Sequence, residues 1–229
     1  MSLAGLGAVA IWHDLLPEAK DNFYEWHNRE HMPERVGIPG FLRGRRYVAV
    51  QGAPEFFNLY EADSPEVLSG PDYLSRLNNP TPWTRESVQA FRHVSRSICR
   101  VEYTSGVGQG GMIATLRFDV NEQARTKLLL ALRQSVLPAC LDQKGIVGAH
   151  LCLADVAGSQ VETAEKKARA AATLVPTWVV LLEGFNASVL GRAAQALQHA
   201  LPELGADTSD MSVYQLEYSV CKLPSATGR

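Results

Sequence analysis

No apolar run in this chain approaches the ~20 residues that a membrane-spanning helix needs. The first residues, Met1-Ser2-Leu3-Ala4-Gly5-Leu6, lack the basic stretch of an export signal, so the expected location is cytoplasmic, with no membrane partner. Cysteine is scarce: Cys99, Cys140, Cys152 and Cys221 lie far apart with no C-x-x-C spacing. That leaves no zinc ribbon, redox pair or disulfide scaffold to infer, and the thiols are expected to be reduced and mostly buried. A charge excess is also missing. Lys and Arg number 22 against 24 Asp and Glu, a formal net charge of −2, so neither nucleic acid nor an anionic surface is an expected partner. What remains, 46% hydrophobic and 20% charged over 229 residues, is an ordinary globular composition, enough for one large domain or two of ~110 residues.

Periodicity and turn residues place a strand over 7–13, a helix over 18–35, strands over 41–51 and 55–62, and a helix opened by Ser64-Pro65-Glu66. Asn78-Asn79-Pro80 breaks that helix; a further helix is expected over 84–94 and a strand over 98–103. The order is β-α-β-β-α-β with an extra helical segment, the ferredoxin-like arrangement. Gly106-Val107-Gly108-Gln109-Gly110-Gly111 follows. It resembles a dinucleotide-binding glycine motif, but that motif needs a helix N-terminus directly behind it, and 112–120 reads as a strand. The stretch is read as a linker between units 1–105 and 112–229.

The second unit repeats the order, with strands at 112–120, 146–154, 178–185 and 211–220 and helices at 121–143 and 187–201. An offset of 105 sets Pro33 on Pro138 and Gly40 on Gly145; an offset of 122 sets Val67-Leu68 on Val189-Leu190; and one of 115 sets Val101-Glu102-Tyr103 on Leu216-Glu217-Tyr218. The changes of offset mark indels, one of them a polar insertion at 158–172 that is read as a short helix or a mobile loop, with disorder expected over most of it.

The repeat makes an internal comparison possible. On the first long helix, Trp26, His27, Glu30 and His31 correspond to Ala131, Leu132, Ser135 and Val136. A helix that only covers a sheet can be apolar, as the second copy is, so the polar version calls for a reason of its own. The site is therefore sought in the first unit. His31 is the candidate general acid or base, with His27 beside it and Glu30 or Asn58 to fix its tautomer; the competing reading is a histidine that caps the last helical turn. Trp12, Trp26, Tyr60 and Trp83 are candidates to line a pocket for a small hydrophobic or aromatic molecule, Trp83 as a lid, although core packing explains any one of them equally. Along 41–51, Arg43 and Arg45 share one face and Arg46 takes the other. Arg43 and Arg45 are expected to form ion pairs inside the fold, with Glu102 or Glu217, while Arg46 can hold a carboxylate or enolate on the helix side. His93 and His199 are read as exposed positions on helices, and His13 and His150 as strand positions without evident partners.

His27-Asn28-Arg29-Glu30-His31 also fits the H-x-x-E-H pattern of inverted zinc peptidases. Pro33 and the strand at 41 cut the helix too short for that site, so no metal is expected.

Trp26-His27-x-x-Glu30-His31-x-Pro33, followed by Ile38-Pro39-Gly40-Phe41 leading into a strand, resembles the dimeric α/β barrel superfamily, in particular its EthD-like branch. The resemblance implies an α+β fold in which two tandem ferredoxin-like β-α-β-β-α-β units pack their antiparallel sheets into an α/β barrel. One chain then forms an intramolecular pseudo-dimer, with homodimer formation optional. The superfamily includes cofactor-independent monooxygenases, lactone isomerases, polyketide cyclases and dehydratases, and haem enzymes, which share a pocket between helices and sheet. The expectation is cofactor-independent acid/base chemistry of the cyclase, isomerase or dehydratase type on an aromatic or polyketide-like compound. A non-catalytic small-molecule-binding or accessory protein is the competing reading, followed by a cofactor-independent monooxygenase or a haem or metal protein.

Overall fold

The structure, a computed structural model, describes residues 3–169, 171–207 and 209–222. The expected unit ends at 1 and 229, and position 170 of the expected insertion, lie outside the described residues. No helix among those described is long and apolar enough to cross a membrane.

Eight strands close into a single antiparallel barrel. In chain order they are β1 Gly7–Leu15, β2 Phe41–Gln51, β3 Phe56–Ala62, β4 Phe91–Gly106, β5 Met112–Phe118, β6 Ile146–Ala154, β8 Trp178–Gly184 and β9 Asp210–Cys221, while the two-residue β7 Thr173–Leu174 runs parallel to the start of β4. The ring runs β1-β3-β2-β9-β5-β8-β6-β4 and closes through β4 pairing with β1. Each half contributes one ferredoxin-like sheet, β4-β1-β3-β2 and β9-β5-β8-β6, and the two join edge to edge at β2–β9 and β4–β6. Closure removes every free sheet edge except at the short β7.

Alternation along the strands separates two environments. On β1, Ala8, Ala10 and Trp12 point into the barrel with Phe57 and Leu59 of β3, Val179 and Leu181 of β8, and Tyr214 of β9. At one end of this interior an ion ladder replaces the apolar side chains. Arg43 and Arg45 both bond Glu61, and Arg45 also reaches Glu183 of the other half at 3.1 Å. These, and not Glu102 or Glu217, are their partners, because β2 turns both arginines toward the barrel axis; Glu102 instead accepts from Arg133 at 2.9 Å. His150, also buried in the barrel, bonds Thr104 at 2.8 Å.

The outer faces carry helices. In the first half α1 Lys20–Trp26 passes through one wider π turn at His27–His31 into α2 Met32–Gly37; in the second half α5 Arg125–Ala131 passes through a π turn at Leu132–Val136 into α6 Leu137–Leu141. The two π turns stand at the offset of 105 found in the sequence. So do Gly40 (φ +84°) and Gly145 (φ +97°), each facing a valine, Val67 and Val189 respectively. A side chain at Gly40 would lie 2.6 Å from Val67 in a left-handed backbone, which is why glycine stands there.

The halves differ in their second helix. α9 Ala187–Ala200 covers the second sheet, whereas the first sheet is covered by α3 Pro71–Asn78, α4 Pro82–Ser87 and two helices lent by the other half, α7 Val156–Gln160 and α8 Ala164–Ala168. α8 packs against both α3 and α4. Within the insertion, residues 158–160 and 164–168 are helical, and Ser159, Thr163 and Glu165 are buried. The helix expected over 84–94 ends early, and β4 begins at Phe91: Phe91 and Val94 pack in the helix–sheet layer with Phe23 and Trp26, while Cys99 faces the barrel interior, so the segment is covered on both sides as a strand. His93 is thus a strand residue, exposed, at φ +49° and bonded to Asp14 at 2.8 Å.

Candidate functional site

The helix–sheet layer of the second half is one continuous apolar cluster, from Leu116 and Leu151 on the sheet to Leu128, Leu132 and Leu137 on the helix. The corresponding layer of the first half is split. One apolar cluster surrounds Met32, Tyr60 and Tyr73, another surrounds Phe23, Trp26 and Phe91, and polar side chains fill the space between. His13, His27, His31, Arg35, Asn58 and Arg96 are all buried there. Burying that many polar groups is unfavourable unless each finds a partner, so the partners describe the site.

His27 and His31 fall one turn apart on the inner face of the π turn, with ring centroids 5.6 Å apart. Arg46 donates to His27 Nδ1 at 3.2 Å and to Asn28 Oδ1 at 2.8 Å. Arginine has only donors, so His27 Nδ1 accepts, and its Nε2–H donates to the Tyr60 hydroxyl at 3.1 Å. Arg46 is itself neutralised by Glu217 of β9 at 2.7 Å. His13 donates from Nδ1 to the Asp14 carbonyl at 3.3 Å, accepts from Asn58 Nδ2 at 3.0 Å, and stacks on Phe91 with centroids 4.1 Å apart. Both rings are held neutral: burial takes the His13 pKa down to about 3, and burial followed by His31 and Arg46 takes His27 well below 6.5.

His31 differs from its neighbours. Its ring lies against Trp26, centroids 4.3 Å apart, and its Nδ1 is buried with no hydrogen-bond partner. Burial and then the Arg35 and Arg169 guanidiniums hold its pKa well below 6.5. The Asn58 carbonyl oxygen is likewise buried without a partner.

Beyond His31 the layer becomes a cluster of guanidiniums. Arg35, one turn further along the helix, donates to Glu34 at 3.0 Å and to Glu165. Glu165 also accepts from Arg169 at 3.2 Å, and Arg96 donates to the Tyr73 hydroxyl at 2.9 Å. Burial alone would raise the Glu165 pKa; Arg35, Arg169 and Arg96 reverse this and hold it below the usual carboxylate range. A cavity of about 20 Å³ lies alongside, walled by Arg96, Thr163, Glu165, Arg169 and Thr173 among others.

Of the residues singled out in the sequence, His27, His31, Trp26, Arg46, Asn58 and Tyr60 come together in this layer. Glu30, Trp12 and Trp83 do not join it. Glu30 turns away from His31 and accepts from Thr81 at 2.5 Å and Thr84 at 3.3 Å, where it braces α4. Trp12 points into the barrel and donates to Thr115 at 3.2 Å, because odd and even positions of β1 face opposite sides. Trp83 donates to Asn22 at 2.8 Å and ties α4 to α1. Asn58 fixes the tautomer of His13, not that of His31. Sequence reasoning missed Arg35, Arg96, Glu165 and Arg169. Arg35 carried a usable signal, since it follows His31 by four positions on the same helical face.

Among the described residues no group of three or more His, Cys, Asp or Glu side chains is placed to hold a metal ion. As folded, the space beside His31 is filled by the buried ion pairs of Arg35, Glu165 and Arg169, so a haem has no room there while they are in place.

Solved structures share the architecture. An anthrone oxidase-like protein superposes with a TM-score of 0.64 at 13% identity over 97% of this chain and 96% of its own. A protein from Fusobacterium nucleatum, provisionally named a monooxygenase, superposes with a TM-score of 0.60 at 7% identity over 96% of each chain. The chain shares their α+β barrel architecture. A protein provisionally named a chlorite dismutase also aligns, with a TM-score of 0.56 at 11% identity over 93% of this chain and 95% of its own. At such identities the likeness concerns the fold and not the reaction. No family model and no curated protein matches the sequence.

Proposed function

We propose that this barrel is a small-molecule enzyme whose site is the polar layer of the first half, with His31 as the proton-transferring group and an acidic aromatic or polyketide-like compound as substrate. The observation that carries the reading is the free Nδ1 of His31: the other two imidazoles of the layer have both ring nitrogens engaged, and this one does not.

In this reading His31, neutral at physiological pH, accepts a proton at Nδ1 from an acidified C–H or O–H of the substrate and returns it to the product. Tyr60 accepts from His27, which leaves its own hydroxyl proton to donate to the developing oxyanion. Arg35 and Arg169 stabilise the negative charge, and Trp26 stacks on the ring system. Cyclisation, isomerisation and dehydration all consist of such steps and require no cofactor. The polar first half set against the apolar second half further supports descent by tandem duplication, with one copy keeping the pocket and the other filling it; the His-x-Pro turn supports an EthD-like origin.

The test is turnover. Purified protein is incubated with aromatic and polyketide-like acids, phenols and quinones, and products are followed by mass spectrometry. Replacing His31 with Ala is expected to lower kcat/KM by ~100-fold or more while the urea midpoint stays near that of the parent; full activity in that variant overturns the reading. An oxygenation at the same site is the second reading, prompted by the names of the structural neighbours, and incorporation of ¹⁸O from labelled dioxygen into product decides for it. Binding without product across the panel assigns the accessory role.

A further inference from the structure

Glu165 is the only carboxylate that α7 and α8 bring into the first-half layer, and its surroundings are unlike those of an ordinary surface salt bridge. Its side chain and that of Arg35 are 5% and 4% exposed, and Arg169 is 6% exposed. Arg35 and Arg169 bond it directly, and Arg96 lies close enough to help lower its pKa. Three buried guanidiniums thus converge on a single carboxylate. Glu34, the other acid at Arg35, is shared with the exposed Arg76.

The fit is incomplete. The adjoining cavity of about 20 Å³ has on its walls two buried polar atoms without partners, Arg169 Nε and Thr173 Oγ1. An anion seated deeper in the cavity than the Glu165 carboxylate would come within reach of both.

The carrier of Glu165 is weakly attached. α7 and α8 are one turn or so each, and their buried residues are Ser159 and Glu165, with no apolar side chain among them. Their links to the first half are mainly polar, with Ala168 adding a small apolar contact to the Phe23 cluster: the Ile98 amide to Ser159 Oγ at 2.8 Å, the Ala164 amide to Asn78 Oδ1 at 3.3 Å, and the Glu165 ion pairs. A segment held by hydrogen bonds with little apolar burial opens at low cost. Arg169 sits on the same segment, four residues on, so what displacement must move is the Glu165 side chain alone, and the remaining obstacle is the set of guanidiniums that side chain would leave unpaired in a buried site. An incoming anion removes that obstacle by taking over the same charges.

We propose that Arg35, Arg96 and Arg169 form the carboxylate subsite of the first-half pocket, and that Glu165 occupies it as an internal stand-in until the carboxylate of an aromatic acid replaces it. Arg35 follows His31 by one helical turn, which places a ligand anchored there beside His31 and Trp26. The inference rests on the assignment of the pocket to this layer, but not on catalysis, so it survives if His31 proves dispensable for turnover.

The test is binding to the full chain, read by calorimetry, with 1-naphthoate as the probe and 1-naphthylmethanol as its uncharged counterpart. Glu165→Gln removes the competing charge and is expected to tighten 1-naphthoate at least tenfold while leaving 1-naphthylmethanol unchanged. Adding Arg169→Gln to that variant is expected to cancel the gain. An unchanged or weaker affinity for 1-naphthoate in Glu165→Gln, or an equal gain for the alcohol, overturns the proposal. A second readout covers a variant that folds poorly: in Glu165→Ala, acetate should raise the melting temperature in a saturable way and acetamide should not, and an equal effect of the two contradicts an anion subsite.

Discussion

His13, His27 and His31 are three imidazoles buried as neutral rings, and that choice has a measurable cost in acid. Burial depresses His13 to a pKa of about 3 and holds His27 and His31 well below 6.5, whereas in the unfolded chain each protonates near ~6.5. Between those values the unfolded chain binds more protons than the native one, so stability is complete above pH 6.5 and declines as pH falls through it, by up to ~1.4 kcal/mol per pH unit for each histidine. Urea midpoints are expected to be level from pH 8 to 7 and to fall steadily from 6.5 to 5, above the range in which carboxylates titrate. A profile flat down to pH 5 would show that these rings are not buried as neutral groups. At this scale the sequence was readable in part. The i, i+4 spacing of His27 and His31 and the contrast with Leu132 and Val136 pointed to the layer. The partners were not readable: Asn58 serves His13 and Glu30 serves α4, because strand register and a neighbouring helix decide which atoms meet.

The π turn is the element that most needs the second half as a control. Wide turns recur at functional sites, yet Leu132–Val136 adopts the same turn in an apolar layer. The turn therefore belongs to the fold, and the residues placed on it supply the chemistry. The stretch 156–169 is the converse. Its Ala, Lys and Glu composition carries no packing signal, and the helices form because Thr163 caps α8 and Glu165 finds the Arg35 guanidinium, 130 positions away in sequence. Composition cannot show a partner at that distance. Since the attachment is polar, amides of α7 and α8 are expected to exchange with deuterium well before those of the flanking strands β6 and β8, as hydrogen-exchange mass spectrometry would show. Protection equal to that of the strands would contradict a weakly held cover.

For the whole molecule, the barrel explains why the halves need each other. β2 pairs with β9 and β4 with β6, Arg45 joins Glu61 of one half to Glu183 of the other, and the first half's helical cover is completed by α8 from the second. The element order was legible in the sequence because hydrophobic alternation and the turn residues Gly40, Gly145, Pro33 and Pro138 report local geometry. Closure into a barrel was expected through the family resemblance and not from local pattern, and the loan of α7 and α8 was not expected at all, since both depend on contacts between halves. The central claim is that the polar layer of the first half takes an acidic aromatic ligand. Its most direct test is diffraction from crystals soaked in 1-naphthoate. The account predicts density for the naphthyl rings between Trp26 and His31, with the carboxylate on Arg35 and Arg169 and Glu165 turned out; density elsewhere on the barrel, with Glu165 still between those arginines, would contradict it.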